Sequence, residues 1–220
     1  MIICIDGPAG AGKSTAAKGL ARRLGFRFLD TGAMYRAVTL AAVRAGVELA
    51  DDRALAEIAR SSKIELAEER VLLNGQDVTC EIRTAEITTL THFAADNPLV
   101  RERLVELQRQ AAAGQSVVTE GRDQGTVVFP HADCKIFLTA DPRARAERRR
   151  RDLIRRGEVL PLEEVQAQQD LRDQRDTSRS VGPLVPAADA VYVSTDGLSP
   201  EQVVTELERL ARARMGMHIS

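Results

Sequence analysis

Two rhythms of apolar residues alternate along this chain. Short apolar-rich runs occur at Ile2-Ile3-Cys4-Ile5, Phe26 to Leu29, Ser116 to Thr119, Lys135 to Thr139 and Ala190 to Ser194. They read as strands of a buried sheet. Between them, apolar positions recur at helical spacing. Ala17, Leu20, Ala21 and Leu24 mark the first helix. Met34, Ala37, Val38, Ala41 and Ala42 mark the inward face of a second, from about Ala33 to Ala45, stopped by Gly46. Asp51 and Asp52 cap a short helix carrying Leu55 and Ile58. Thr84 caps another with Ile87, Leu90 and Phe93; Asn97-Pro98 breaks it, and a helix from Leu99 to Ala113 ends at Gly114. Asp141-Pro142, Pro161 and Ser199-Pro200 open three more, Pro161 preceding a helix from Leu162 to about Ser178. Alternating strands and helices of this kind predict a parallel α/β sheet.

One stretch breaks the rhythm. Ile64 to Ala67 and Val71 to Leu73 read as short strands joined by a Glu68-Glu69 turn. Asn74-Gly75 is a hairpin signal, and Val78 to Ile82 reads as a third strand. Residues 62–83 are therefore expected to form a small antiparallel insert.

Composition narrows the classes. A chain of 220 residues suits one domain with a small insert. A net charge of −1 supplies no global attraction to nucleic acid or membrane, and two Tyr, five Phe and no Trp are too few aromatics for a single-strand stacking platform. Cys4, Cys80 and Cys134 are odd in number and lack metal-ligand spacing, which points to a reduced, cytoplasmic setting. A strand beginning at residue 2 leaves no room for a signal peptide, and no apolar run reaches membrane-span length.

Between the first strand and first helix lies Gly7-Pro8-Ala9-Gly10-Ala11-Gly12-Lys13-Ser14, followed by Thr15. G-x-x-x-x-G-K-[ST] in this setting is a phosphate cradle: backbone N–H groups wrap the phosphates and the helix N-terminus adds positive potential. Lys13 can reach the β- and γ-phosphates, and the Ser14 hydroxyl can ligate Mg²⁺. Only four of the 31 basic residues are lysines, so a lysine at the one slot that requires it is informative, whereas any single arginine is not.

Four further places fall at or just after strand ends, where open α/β sheets bind ligands: Asp30-Thr31-Gly32 with Arg36, Arg101, Gly121-Arg122-Asp123, and Arg172 to Arg179. Arg172, Asp176 and Arg179 share one helical face. That helix has little apolar character beyond Val165 and Leu171, so it is either a solvated, ion-paired helix or a polar face turned onto a charged ligand. Arg122-Asp123 is either a loop ion pair or part of a site. Arg148 to Arg151 is either a solvated basic face or, beside Gly157 and Pro161, a mobile lid.

The stretches IDGPAGAGKST, FLDTGAMYR, EIRT, PLVRERL, EGRDQGTVVFP, KIFLTAD, RDQRDTSR and PLVPAADA make the chain resemble the bacterial cytidylate kinases over about residues 2 to 212. EGRDQGTVVFP with the later RDxxR separates that family from other nucleoside monophosphate kinases. The resemblance implies a single kinase domain over 1–220, a P-loop NTPase-type parallel sheet flanked by helices, with a small antiparallel β insert in the monophosphate-binding region. The core would comprise about 1–46, 94–147 and 178–220, the insert about 47–93, the lid about 148–161, and 162–178 a helix carrying acceptor-binding residues.

The implied activity is ATP-dependent phosphorylation of CMP and dCMP, by a cytoplasmic monomer that uses Mg²⁺ and no nucleic acid or membrane partner. Gly7 to Thr15 would hold ATP, with Mg²⁺ on Ser14. Arg36, Arg122 and Arg179 would bind the CMP phosphate, Asp123 and Arg101 the cytosine edge, and Arg172 and Asp176 the ribose hydroxyls. Arg148 and Arg149 would belong to the lid, and Lys13, Arg122, Arg148 and Arg179 would carry catalysis. Thr31 and His92 occupy CMP-site positions where serine is usual, and Gln124 stands where methionine is frequent. A shikimate-type or other small-molecule kinase, or a non-catalytic nucleotide switch, are the alternatives; no N-K-x-D stretch supports a GTPase switch.

Overall fold

The computed structural model describes residues 1–67, 70–155 and 157–216. It divides into two compact units, residues 1–28 with 115–220, and residues 29–114. The expected Glu68-Glu69 turn lies outside the described residues.

The first unit is built on a five-stranded sheet. Strand β1 (Ile2–Asp6) leads through the phosphate cradle into α1 (Lys13–Leu24). After β2 (Arg27–Asp30), the second unit intervenes. It comprises α2 (Thr31–Arg44), α3 (Asp52–Ser61), β3 (Ile64–Ala67), β4 (Arg70–Leu73), β5 (Gln76–Asp77), α4 (Ala85–Asp96) and α5 (Pro98–Ala112). The chain then returns through β6 (Val117–Gly121), β7 (Cys134–Thr139), α6 (Pro142–Arg155), α7 (Leu162–Ser178), β8 (Val191–Ser194) and α8 (Pro200–Arg214).

The strand order is β2-β6-β1-β7-β8. Strand β1 runs parallel to both neighbours, Ile3 opposite Val118 and Ile5 opposite Ile136. It lies mid-sheet with both faces covered: Ile3, Cys4 and Ile5 are fully buried, which is why its apolar run is unbroken rather than alternating. Ala16, Ala17, Leu20 and Ala21 of α1 share a core with Val203, Leu207 and Ala211 of α8. Burying a leucine such as Leu20 or Leu207 stabilises this layer by about 2 kcal/mol. Because the strands are parallel, the loops after β1 and β6 leave from the same sheet edge.

Gly7 makes the sharp exit from β1. Its φ is 148°, and a Cβ there would stand 2.1 Å from the Leu138 carbonyl oxygen, so no side chain is admitted. The stretch from Glu120 to Thr126, which carries the Arg122-Asp123 loop, is more ordered than an open loop. Glu120 and Gly121 finish β6, and Gln124–Val128 forms a single π-helical turn. The buried Asp6 carboxylate holds this turn, accepting from Gln124 N at 2.9 Å and Gly125 N at 2.8 Å.

The second unit packs α2 to α5 with a three-stranded antiparallel sheet β3-β4-β5 around Met34, Ala37, Val38, Leu55, Val71, Leu73, Ile82 and Leu104. Helix ends follow their caps. Asp51 accepts from Arg53 N and Ala54 N at 3.0 Å, and Asn97 closes α4 and opens α5, accepting from Leu99 N and Val100 N. Helix α2 starts two residues earlier than expected because Asp30 caps it, accepting from Ala33 N at 2.9 Å. The third strand of the insert is shorter and earlier than expected. The Asp77 carboxylate accepts from Thr79 N and Thr79 Oγ1, turning the chain after Gln76–Asp77, and Glu81–Arg83 is a 3₁₀ turn instead.

Candidate active site

In the first unit, the cradle turns through Gly10 (φ 78°) and Gly12 (φ 91°) onto the N-terminus of α1. Lys13 is buried, and its Nζ donates to the Pro8 carbonyl at 2.7 Å. Burial holds its ammonium well below the ordinary lysine range. The Arg122 and Arg172 guanidiniums push the same way, against Glu120 and Asp6. Ser14 Oγ donates to Glu120 Oε1 at 2.8 Å, joining the cradle to the end of β6.

Arg122 follows directly from β6. It is half-buried, its Nε donates to Asp176 Oδ2 at 2.6 Å and its Nη1 to the Gly121 carbonyl at 3.3 Å. Burial disfavours its charge, while Glu120, Asp173, Asp6 and Asp123 support it. Arg179 pairs with the other oxygen of Asp176, so one buried carboxylate sits between two guanidiniums. Arg179 lies just beyond α7 in extended backbone rather than on its face, yet the pairing survives. Asp123 is 4% exposed and anchors the π-turn, its carbonyl accepting from Val127 N and Val128 N.

Helix α7 turns a polar stripe inward rather than being solvated all round. Val165, Gln169 and Asp176 are buried along the helix, with Asp173 between them half-buried, so its inward stripe is mostly polar. Leu171, read as part of an apolar face, is 49% exposed. Arg172 is exposed but close enough to depress Lys13. Arg148, on α6, donates to Thr195 Oγ1 at 2.7 Å and to the Thr195 carbonyl at 2.9 Å, so it is not a solvated arginine. Arg149 follows it, half-buried.

Thr31, Arg36, His92 and Arg101 belong to the second unit. Thr31 is buried at the first residue of α2. Asp30 receives Arg36 Nη2 at 3.3 Å and Arg83 Nη2 at 3.1 Å. Arg101 is 2% exposed, donates from Nη1 to the Ala95 carbonyl at 3.0 Å and stands over the Tyr35 ring. His92 Nδ1 lies 2.8 Å from the Thr89 carbonyl oxygen, and its ring stacks against Phe93. With Nδ1 donating to that carbonyl, Nε2 is the acceptor nitrogen.

Sequence reasoning missed Asp6, Glu120, Arg145, Asp173 and Thr195. Glu120 carried a signal, an acid at a strand end beside Arg122. Asp6 carried one too, an acid ending the strand that enters the cradle. Arg145 carried none in so arginine-rich a chain; Asp173 lay inside the RDQRDTSR stretch but was assigned no role.

A phosphate cradle at the end of a central parallel strand, with a buried lysine and a seryl hydroxyl directed to a strand-end carboxylate, defines a P-loop nucleotide-binding α/β protein. The cytidylate kinase family model matches residues 3–213. The chain is 51% identical to a cytidylate kinase of Rhodopirellula baltica over 212 residues, covering 96% of this chain and 93% of that one. It is 46% identical to a cytidylate kinase of Mycobacterium leprae over 217 residues, covering 98% and 97%. An uncharacterized protein from Eubacterium ventriosum, 13% identical with a TM-score of 0.52 over 95% of this chain and 96% of that one, shares the fold alone. The chain belongs to the cytidylate kinase family.

Proposed function

We propose that this protein transfers the γ-phosphoryl group of ATP to CMP and dCMP, forming CDP and dCDP, with Mg²⁺ as the cofactor. The observation that carries this reading is the family match together with a buried Lys13 in the cradle and, beside it at the end of β6, Arg122 and Arg179 sharing the Asp176 carboxylate. Such a concentration of positive charge around a phosphate cradle suits a polyphosphate and an anionic acceptor.

In this reading Gly7 to Thr15 wrap the ATP phosphates. Arg122, Arg179 and Arg36 bind the acceptor phosphate, for which a planar, permanently charged, bidentate group is suited. Arg172 and Asp176 take the ribose hydroxyls, Asp123 and Arg101 the cytosine edge, with Thr31 and His92 beside the acceptor. A carboxylate at Asp123 accepts from the cytosine 4-amino group and repels the oxygen that uracil carries there. The acceptor oxygen is already anionic, so no general base is needed; positioning and charge neutralisation by Lys13, Arg122, Arg179 and Arg148 supply the catalysis. Arg148 exchanges its Thr195 partners for phosphate when the lid, about 148–161, closes.

Ser14 and Glu120 offer the hard oxygen donors that Mg²⁺ takes, so the residues present fit the ion. When bound it neutralises triphosphate charge. Among the described residues no group of three or more His, Cys, Asp or Glu could hold a metal, in keeping with an ion carried chiefly by nucleotide and water. The proposal includes a cytoplasmic monomer. Three free cysteines support a reducing compartment, and among the described residues no helix is long and apolar enough to cross a membrane.

The test is ADP release from Mg-ATP with CMP, dCMP, UMP, AMP, dTMP and shikimate supplied one at a time. Turnover strongest with CMP and dCMP is expected. ATP binding without acceptor-dependent turnover would sink the reading.

A further inference from the structure

Helix α7 touches the cradle itself, through residues to which neither the motif nor the acceptor roles assign any task. Asp173 Oδ1 accepts from Ala9 N at 3.1 Å. Its other oxygen pairs with Arg145 of α6, and the same Arg145 Nη1 donates to the Ala9 carbonyl at 2.9 Å. Both backbone polar groups of one cradle residue, Ala9, are thus held by a single ion pair. One turn earlier, Gln169 stands over Gly10: a Cβ there would lie 2.7 Å from Gln169 Nε2. Arg145 and Gln169 are buried, and among the described residues Arg145 Nε and Gln169 Oε1 have no hydrogen-bond partner.

A glycine-rich loop is conformationally permissive, and its amides cradle phosphate only if something else fixes their direction. Backbone bonds within the loop are sparse; Ala11 N to the Pro8 carbonyl, at 3.4 Å, is a long one. The charge-assisted contacts from α6 and α7 are stronger than that. Asp173 also lies between Arg172 and Asp176, so the helix offered to the acceptor is the one that fixes the donor loop.

We propose that Arg145 and Asp173 are positioning residues for the phosphoryl donor. Their ion pair clamps the Ala9 backbone through its N–H and its carbonyl, and so holds the two peptides on either side of it in the geometry that receives the ATP phosphates. The proposal rests on the kinase reading above but concerns donor binding, which can be measured without turnover.

The experiment compares wild type with Asp173→Asn, Arg145→Lys and the double variant. Binding of a non-hydrolysable ATP analogue with Mg²⁺, and separately of CMP, is followed by calorimetry, with thermal unfolding run alongside. Each single variant is expected to weaken the analogue about tenfold while CMP affinity stays within about twofold, and the double variant is no weaker than the worse single, because both act through one contact. Analogue affinity equal to wild type would overturn the proposal, as would equal weakening of both ligands, the mark of general loosening. If Asp173→Asn does not fold, Arg145→Lys decides alone. Wild-type analogue binding with no CMP-dependent turnover would overturn the kinase reading while leaving this one standing.

Discussion

Asp6 offers a test of how the π-helical turn after β6 is held. Its carboxyl is buried, and burial, reinforced by Asp123, raises its pKa from the ordinary 3.8 to about 6, against the two amide hydrogen bonds and Lys13. A carboxyl whose folded pKa lies above its unfolded value binds its proton more tightly when folded. Its contribution to stability is therefore fully present below pH 3.8 and is lost as pH rises through about 6. At roughly 1.4 kcal/mol for each pH unit, the loss amounts to about 3 kcal/mol. Asp6→Asn keeps the shape and removes the titration. Urea unfolding of both proteins from pH 3 to 7.5 should show the stability of wild type relative to the variant falling by about 3 kcal/mol. The Asp6 carboxyl ¹³C signal should titrate near 6. A relative stability that is flat, or that rises with pH, would refute the reasoning: it would mean that the two amides outweigh burial.

Other expectations follow from single contacts. Lys13→Ala should lower kcat at least about 100-fold while far-UV circular dichroism stays native, since a phosphate-facing cation acts on developing charge; near-normal kcat would remove the P-loop assignment. Gly7→Ala should destabilise by more than about 3 kcal/mol in chemical denaturation, because its Cβ meets the Leu138 carbonyl at 2.1 Å and φ is 148°. Asp123→Asn should erode discrimination between CMP and UMP in kcat/KM, and an unchanged ratio would count against the carboxylate–amino pairing.

The sequence by itself determined the alternation of strands and helices, the antiparallel insert, the phosphate cradle and the family. These are local matters. Periodicity, caps and turn chemistry are written within a few residues, and G-x-x-x-x-G-K-[ST] concentrates its chemistry in eight. Helix α7 was placed at its observed bounds because Pro161 and the run after it are local signals. Where a side chain competed with the expected element, the boundary moved, as with Asp30 at α2 and Asp77 after β5.

Only tertiary structure decided which charges do what. Arginine is so abundant here that sequence could not separate Arg145, buried against Ala9 and Asp173, from Arg143, which is exposed beside it. Asp6 meets the loop 118 residues ahead of it, and Ser14 meets Glu120 across 106. The polar stripe of α7 read as ambiguous because a helix facing solvent and a helix facing buried arginines need the same residues. Burial tells them apart, and burial is a property of the packed chain, since the cost of desolvating a charge and the partner that offsets it arise only when distant segments meet.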